Sequence, residues 1–267
     1  MDRREFLRRN ISFLAGSFLS LGGFSKAFAF GGCDRSSFSP PRIALIIDDI
    51  GFSSFRARKF LDLEIPITFS VLPRLKKSFD LAVEIHEKGH EIMLHQPMEP
   101  SNPELDPGPG ALYLGFSAAK IARVIDENFG SVPFATGVNN HMGSKYTESQ
   151  NEVNEVMKVI NRGGLFFVDS LSTSHSKAYE TARRMHLPSA CRNRFLDNNL
   201  EESAIHFQLR RLMGCALRYG HAIGIGHPYP KTAEALDRFS GEFEKSGISL
   251  VHVSQVLPPH NPQQIRP

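Results

Sequence analysis

The chain has 267 residues and is 41% hydrophobic, 22% charged and 10% aromatic, the composition of a globular protein. This excludes a disordered chain, a collagen-like fibre and a coiled coil, and the lack of an apolar run of about 20 residues after residue 30 excludes a multispanning membrane protein. Five of the 31 basic and two of the 28 acidic residues lie within residues 1–29, leaving the rest balanced at 26 against 26, so no nucleic-acid partner is expected.

Residues 2–8 read Asp-Arg-Arg-Glu-Phe-Leu-Arg, which resembles a twin-arginine export signal. A mildly apolar stretch from Ile11 to Phe24 follows, too short to span a bilayer, and Ala27-Phe28-Ala29 offers a small-x-small cleavage site. Residues 1–29 are therefore expected to be an address read by the twin-arginine machinery, with the mature protein periplasmic or otherwise outside the cytoplasm. Residues 30–40 form a short linker. Cys33 would tie the protein to a membrane only if lipidated, and Phe30 three residues before it fits a lipidation signal poorly. Three cysteines do not make a disulfide framework. Cys191 and Cys215 are expected to be free thiols, with pairing in an oxidising compartment the alternative.

From residue 41 to 257 strands and helices alternate. Ile43–Ile47 is a continuous apolar run, as in a strand buried on both faces, and it ends in Asp48-Asp49. A helix is expected over Ser53–Leu63, a strand over Ile67–Leu72, a helix over Ser78–Lys88 and a strand over Glu91–His95. Residues 96–116, rich in proline and glycine, read as a long functional loop. Ser117 caps a helix reaching Asn128, Phe134–Val138 is a strand running into Asn139-Asn140-His141, and Thr147 caps a helix reaching Ile160. Leu165–Val168 leads to Asp169, a helix follows near His175–Met185, and a short strand lies at Pro188–Cys191. A helix over Glu201–Tyr219, a strand over Ala222–Gly226 running into His227, a helix over Thr232–Lys245 and a strand over Ser249–Val253 complete the body. Residues 258–267 form a tail. Seven or eight β/α units without a linker predict one α/β domain, a distorted (β/α) barrel.

Ligands bind such folds at the carboxyl ends of the strands. Asp48-Asp49, His95 with Glu99, His141, His227 and Asp169 all fall there. Mixed carboxylate and imidazole suits a divalent metal, zinc above all. Neighbouring aspartates on a strand point to opposite faces, but where a strand end bends, one can bind the metal and the other face the water as base. His227 can donate a proton to a leaving group.

The strand–Asp-Asp start, Gly89-His90-Glu91 leading to His95, Leu94-His95-Gln96-Pro97-Met98-Glu99-Pro100, Gly137-Val138-Asn139-Asn140-His141-Met142-Gly143-Ser144 and Ile225-Gly226-His227-Pro228 together resemble the divergent branch of the polysaccharide deacetylase superfamily. The resemblance covers residues 41–257. It implies a distorted (β/α) barrel and metal-dependent removal of acetyl groups from an acetylated carbohydrate. Asp48 would be the general base, Asp49 and His95 metal ligands, and His227 the catalytic acid. Glu99 stands where the superfamily's second metal-binding histidine falls, so either Glu99 or His141 completes the ligand set. Asn139 and Asn140 would orient substrate or brace the site, and Asp169 would join the substrate-binding group. His90 and Glu91 read as structural. The rival reading is a catalytically silent envelope protein that keeps the barrel and binds a partner or glycan.

Overall fold

The computed structural model describes residues 39–257, so the export signal, Cys33 and the 258–267 tail lie outside the described residues. Nine parallel strands form one sheet: β1 (Arg42–Ile50), β2 (Thr68–Val71), β3 (Glu91–Met98), β4 (Gly137–Met142), β5 (Phe166–Asp169), β6 (Ser189–Cys191), β7 (Arg194–Phe195), β8 (His221–Gly226) and β9 (Ser249–Val251). Their order is β6-β5-β4-β3-β2-β1-β8-β7, with β9 added on β1. Among the described residues seven helices follow or separate the strands: α1 (Ser54–Leu61), α2 (Ser78–Glu87), α3 (Ala118–Ser131), α4 (Gln150–Arg162), α5 (Ala178–Arg184), α6 (Glu202–Tyr219) and α7 (Pro230–Lys245).

The sheet curls almost into a ring. Its two edges, β6 and β7, are joined by Arg192 and Asn193 alone, which holds them within about 11 Å of each other. Asn193 pairs instead with β8, its N–H donating to Ile223 O and its Oδ1 accepting from Ile223 N–H, so the ring stays open at that seam. The expected distorted barrel is what forms. No helix among the described residues is long and apolar enough to cross a membrane.

Side-chain parity organises the interior. On β1, Ile43, Leu45 and Ile47 join the large cluster under the helices, while Ala44 and Ile46 face the lumen with Met93, Val168, Ile223 and Ile225. Val253 and Val256 plug the floor of that lumen. Each strand therefore carries a fixed inward register up to the mouth of the barrel.

Three local expectations differ from the structure. The strand ending at His95 runs on to Met98, because β4 continues to pair with it through Met98 and Met142. Thr147 does not cap a helix: its hydroxyl and its N–H both donate back to Gly143 O, closing a short 3₁₀ turn over Tyr146–Glu148, and α4 starts at Gln150 after Ser149. The two-residue strand β7 has no counterpart in the sequence reading. Cys191 and Cys215 are free and half-buried.

Candidate metal centre

The inward register delivers the site. Continuing Ala44 and Ile46 by two gives Asp48, continuing Met93 gives His95, and continuing Ile223 and Ile225 gives His227. On β4, Val138 faces the helices, so Asn139 and His141 face inward. Thr68 on β2 leads to Ser70, and Val168 on β5 leads to Ser170.

Asp49 has the wrong parity for this face. A bulge corrects it: Ile47 pairs with Phe69 but Ile50 with Val71, one extra residue on β1, and Asp49 adopts φ +59°. This left-handed turn, uncommon outside glycine, re-aims the carboxylate toward the histidines. The backbone strain there, on the order of 1–3 kcal/mol, is the kind that persists where function over-determines it.

The result is a triangle of acceptors. Asp49 Oδ1 lies 3.2 Å from His95 Nε2 and 3.0 Å from His141 Nδ1, and the two ring nitrogens are 3.2 Å apart. Asp49 Oδ1 is buried and makes no hydrogen bond of acceptable angle. Three ligand bonds of about 2.0–2.2 Å spread around one cation separate their donor atoms by about 3–3.5 Å, so the triangle fits a divalent ion. It is a possible metal-holding group of these residue types, with all three ligand atoms close together. Burial alone would push the Asp49 carboxyl up, but the imidazoles of His141 and His95 against it outweigh that and hold it well below the usual carboxylate range. Burial would likewise lower His95, and Asp48 and Asp49 beside it raise it instead.

Asn139 sets the rest. Its Nδ2 donates to Asp48 Oδ1 at 2.8 Å, which fixes the amide, since a carboxylate only accepts. Its Oδ1 then accepts from Ser70 Oγ and from His95 Nδ1, the latter at 2.7 Å, leaving His95 Nε2 facing the triangle as a lone-pair donor. Asp48 is buried, and burial raises its carboxyl above the usual range.

Asp197, absent from the sequence reading, is the third carboxylate of the site, after Asp48 and Asp49. It accepts from His227 N–H at 2.6 Å through Oδ2, lies 2.9 Å from His227 Nδ1 through Oδ1, and accepts from Thr232 Oγ1 at 2.9 Å. Burial would lower the His227 imidazole, but this carboxylate outweighs it and carries the group up to about 9. Phe195 stacks on the ring at 5.9 Å between centroids, and the Arg192 guanidinium lies 3.6 Å over Phe195. The only signal in the sequence is Arg194-Phe195-Leu196-Asp197, an apolar pair ending in Asp, too short to read as a strand.

Several sequence-based candidates fall elsewhere. Glu99 is not in the triangle. One carboxylate oxygen pairs with Lys145 Nζ at 2.6 Å and the other accepts from Leu114 N–H at 2.8 Å, so it straps the 96–116 loop instead. Glu99→Gln is expected to cost about 1 kcal/mol, seen as a melting temperature about 2–4 °C lower, because this half-exposed ion pair is lost. Asp169 and Asn140 have outward parity, away from the triangle. Asp169 is fully buried and accepts from Leu171 N–H, Ser176 Oγ and Tyr179 N–H, anchoring the start of α5. Asn140 donates to Met142 O and Ser172 Oγ and accepts from Ser170 N–H. Asn139, buried and fully engaged, braces rather than touches substrate. His90 accepts from Ile67 N–H and Glu91 from Thr68 Oγ1, both structural.

A groove of about 100 Å³ opens beside the triangle, between Asp49, Phe52 and Arg56 on one side and His227 and Tyr229 on the other. No residue of the 96–116 loop lines it. The loop folds back onto β3 instead, with Leu112 N–H donating to Pro97 O and Glu99 N–H to Leu112 O.

The fold is thus a parallel barrel whose strand ends carry a carboxylate–imidazole triangle able to hold a metal ion, with the paired His227 and Asp197 on the same inward-facing register. The chain belongs to the divergent polysaccharide deacetylase family, whose model matches residues 45–257. It is 33% identical over 217 residues to the uncharacterised protein YibQ of Escherichia coli, covering 81% of this chain and 67% of that one. Among solved structures, an uncharacterised protein from Agrobacterium tumefaciens superposes with a TM-score of 0.78 at 27% identity, over 83% of this chain and 91% of its own. The catalytic domain of a peptidoglycan N-acetylglucosamine deacetylase from Eubacterium rectale shares the fold, with a TM-score of 0.51 at 11% identity over 84% of this chain and 94% of its own.

Proposed function

We propose that the protein is an exported hydrolase that uses a divalent cation, zinc by its ligand set, to remove acetyl groups from an envelope carbohydrate. The observation that carries this reading is the orphaned Asp49 Oδ1 facing His95 Nε2 and His141 Nδ1, with Asp48 and His227 on the same inward register. Asp49, His95 and His141 would hold the cation, which supplies polarisation of the acetyl carbonyl and a water acidic enough to attack near neutral pH. Asp48 takes the proton of the attacking water. Asn139 keeps its carboxylate aimed, and burial makes it a stronger base than a free carboxylate. His227 carries a proton at neutral pH and delivers it to the departing amine or alcohol, with Asp197 holding the ring in place. The groove left uncovered by the 96–116 loop supports a polymeric substrate rather than a small one.

The test is acetate release from a panel of N- and O-acetylated glycans. Turnover abolished by a chelator and restored by a divalent metal supports the reading. Full metal occupancy with no turnover on any glycan would point to the silent envelope protein.

Asp197→Asn gives a sharper readout. The charge that raises His227 disappears, so the alkaline limb of the pH–rate profile, set near pH 9, is expected to move down toward the ordinary histidine value. The sign follows from the role: an acid works only below its pKa. Turnover at neutral pH should fall severalfold, because at pH 7 only about a quarter of a histidine with the ordinary value near 6.5 carries its proton. An unmoved limb would remove Asp197 from this role.

Export is tested separately. Replacing Arg3 and Arg4 by Lys is expected to retain the full-length precursor in the cytoplasm, read by fractionation and immunoblotting. Unchanged delivery would remove the twin-arginine reading.

A further inference from the structure

One face of the barrel mouth carries aromatic rings and unpaired cations together. Phe52, Phe55 and Phe79 are 68%, 70% and 54% exposed. They lie on two abutting segments, residues 51–59 after β1 and 74–80 after β2. Gly51 packs so closely on Leu75 and Ser78 that an added Cβ would sit 3.0 Å and 3.1 Å from their side chains, and Lys77 Nζ reaches Ser54 Oγ at 3.3 Å. The same two segments carry four unpaired cations. Arg56, Lys76 and Lys77 are exposed, and Lys59 is half-buried with its ammonium 5.3 Å over the Phe55 ring. None of the four has a carboxylate partner among the described residues, whereas their neighbours Arg58 and Arg74 pair with Glu84 and Glu127. Asp80 is the acidic residue of the second segment. In a body whose charges balance overall, this is a local excess of positive charge on the segments that carry three solvent-exposed phenylalanines.

Singly exposed apolar residues need no explanation, but three exposed rings on two abutting segments that also carry four unpaired cations do. Phenyl rings have no polar handle to offer sugar hydroxyls. They partition into the boundary between headgroups and acyl chains, and lysine and arginine nearby meet anionic headgroups. We propose that this face docks on an anionic phospholipid surface. Phe52 and Arg56 also line the groove beside Asp49, so docking sets the mouth of the site at the level of the headgroups. The substrate presented there would be a saccharide carried at or near the membrane. Docking itself does not require the site to be active, so its test is independent of turnover.

The chain contains no tryptophan, so Phe55→Trp in the full chain is a sole reporter of this face. Phe207→Trp, on the similarly exposed ring of α6, is the control for any attachment through residues 1–38. Vesicles of phosphatidylglycerol mixed with phosphatidylcholine are compared with phosphatidylcholine alone, each with and without brominated acyl chains. The expected result is blue-shifted emission from Trp at 55 that brominated chains quench in the anionic vesicles, with no quenching at 207. Lys76→Gln with Lys77→Gln should weaken that response by about 25-fold, at about fivefold per charge. Absent quenching at 55, or equal quenching at 55 and 207, would overturn the proposal. An emission shift at 55 produced by an acidic polysaccharide but not by vesicles would also overturn it, and would assign the face to a glycan.

Discussion

Asp48→Asn is expected to lower acetate release by about 10²–10⁴-fold while leaving the bound metal in place. The amide is nearly isosteric and can still accept from Asn139 Nδ2, so the brace at 2.8 Å survives. The three atoms of the triangle come from Asp49, His95 and His141, and none comes from Asp48. What the variant loses is the ability to accept the proton of the attacking water. The two readouts separate the roles of adjacent aspartates: turnover falls and metal content does not. Loss of metal in Asp48→Asn would mean that the bulge aims the wrong carboxylate at the cation. Full activity would remove Asp48 as the base.

The second large effect falls on His141. His141→Ala removes one of three donors, and metal affinity is expected to drop by more than about 100-fold, beyond the 10–100-fold typical of losing a mere supporting partner. Glu99→Gln should keep the metal, because both Glu99 oxygens are engaged by Lys145 and Leu114. Stability gives an independent readout. A cation present at about 1,000 times its dissociation constant adds about 4 kcal/mol to folding. A chelator should therefore lower the melting temperature of the wild-type chain and of Glu99→Gln but leave His141→Ala unchanged. The opposite pattern, metal lost in Glu99→Gln and kept in His141→Ala, would restore the superfamily's spacing after His95.

Much of this was legible in the sequence. Apolar runs that end in Asp or His mark strands and their mouths, and the order of strands and helices led directly to the barrel. Ser53, Ser117 and Gly220 also end their helices as their chemistry requires: the two serines accept from Arg56 and Lys120 N–H, and Gly220 takes φ +83°. The site was harder because inclusion depends on parity, which one residue reverses. Asp169 and Asn140 look like Asp48 and Asn139 in sequence, yet an odd step turns them toward the helices. Asp49 shares that wrong parity and is rescued by a bulge and a left-handed turn that no local pattern announces. Asp197 was hidden for another reason. Its strand is two residues long and exists only because β8 is there to pair with it. Glu99 shows the limit of motif spacing, since the fourth residue after His95 lies past the end of β3 and is drawn away by Lys145.

Metal analysis of the protein purified without chelators, carried out beside the His141→Ala variant, tests the central claim most directly. The account predicts about one equivalent of a divalent metal in the wild-type chain, little in the variant, and acetate release that follows the metal. A folded wild-type chain that takes up no divalent metal when it is supplied, or that releases acetate equally well without one, would contradict it.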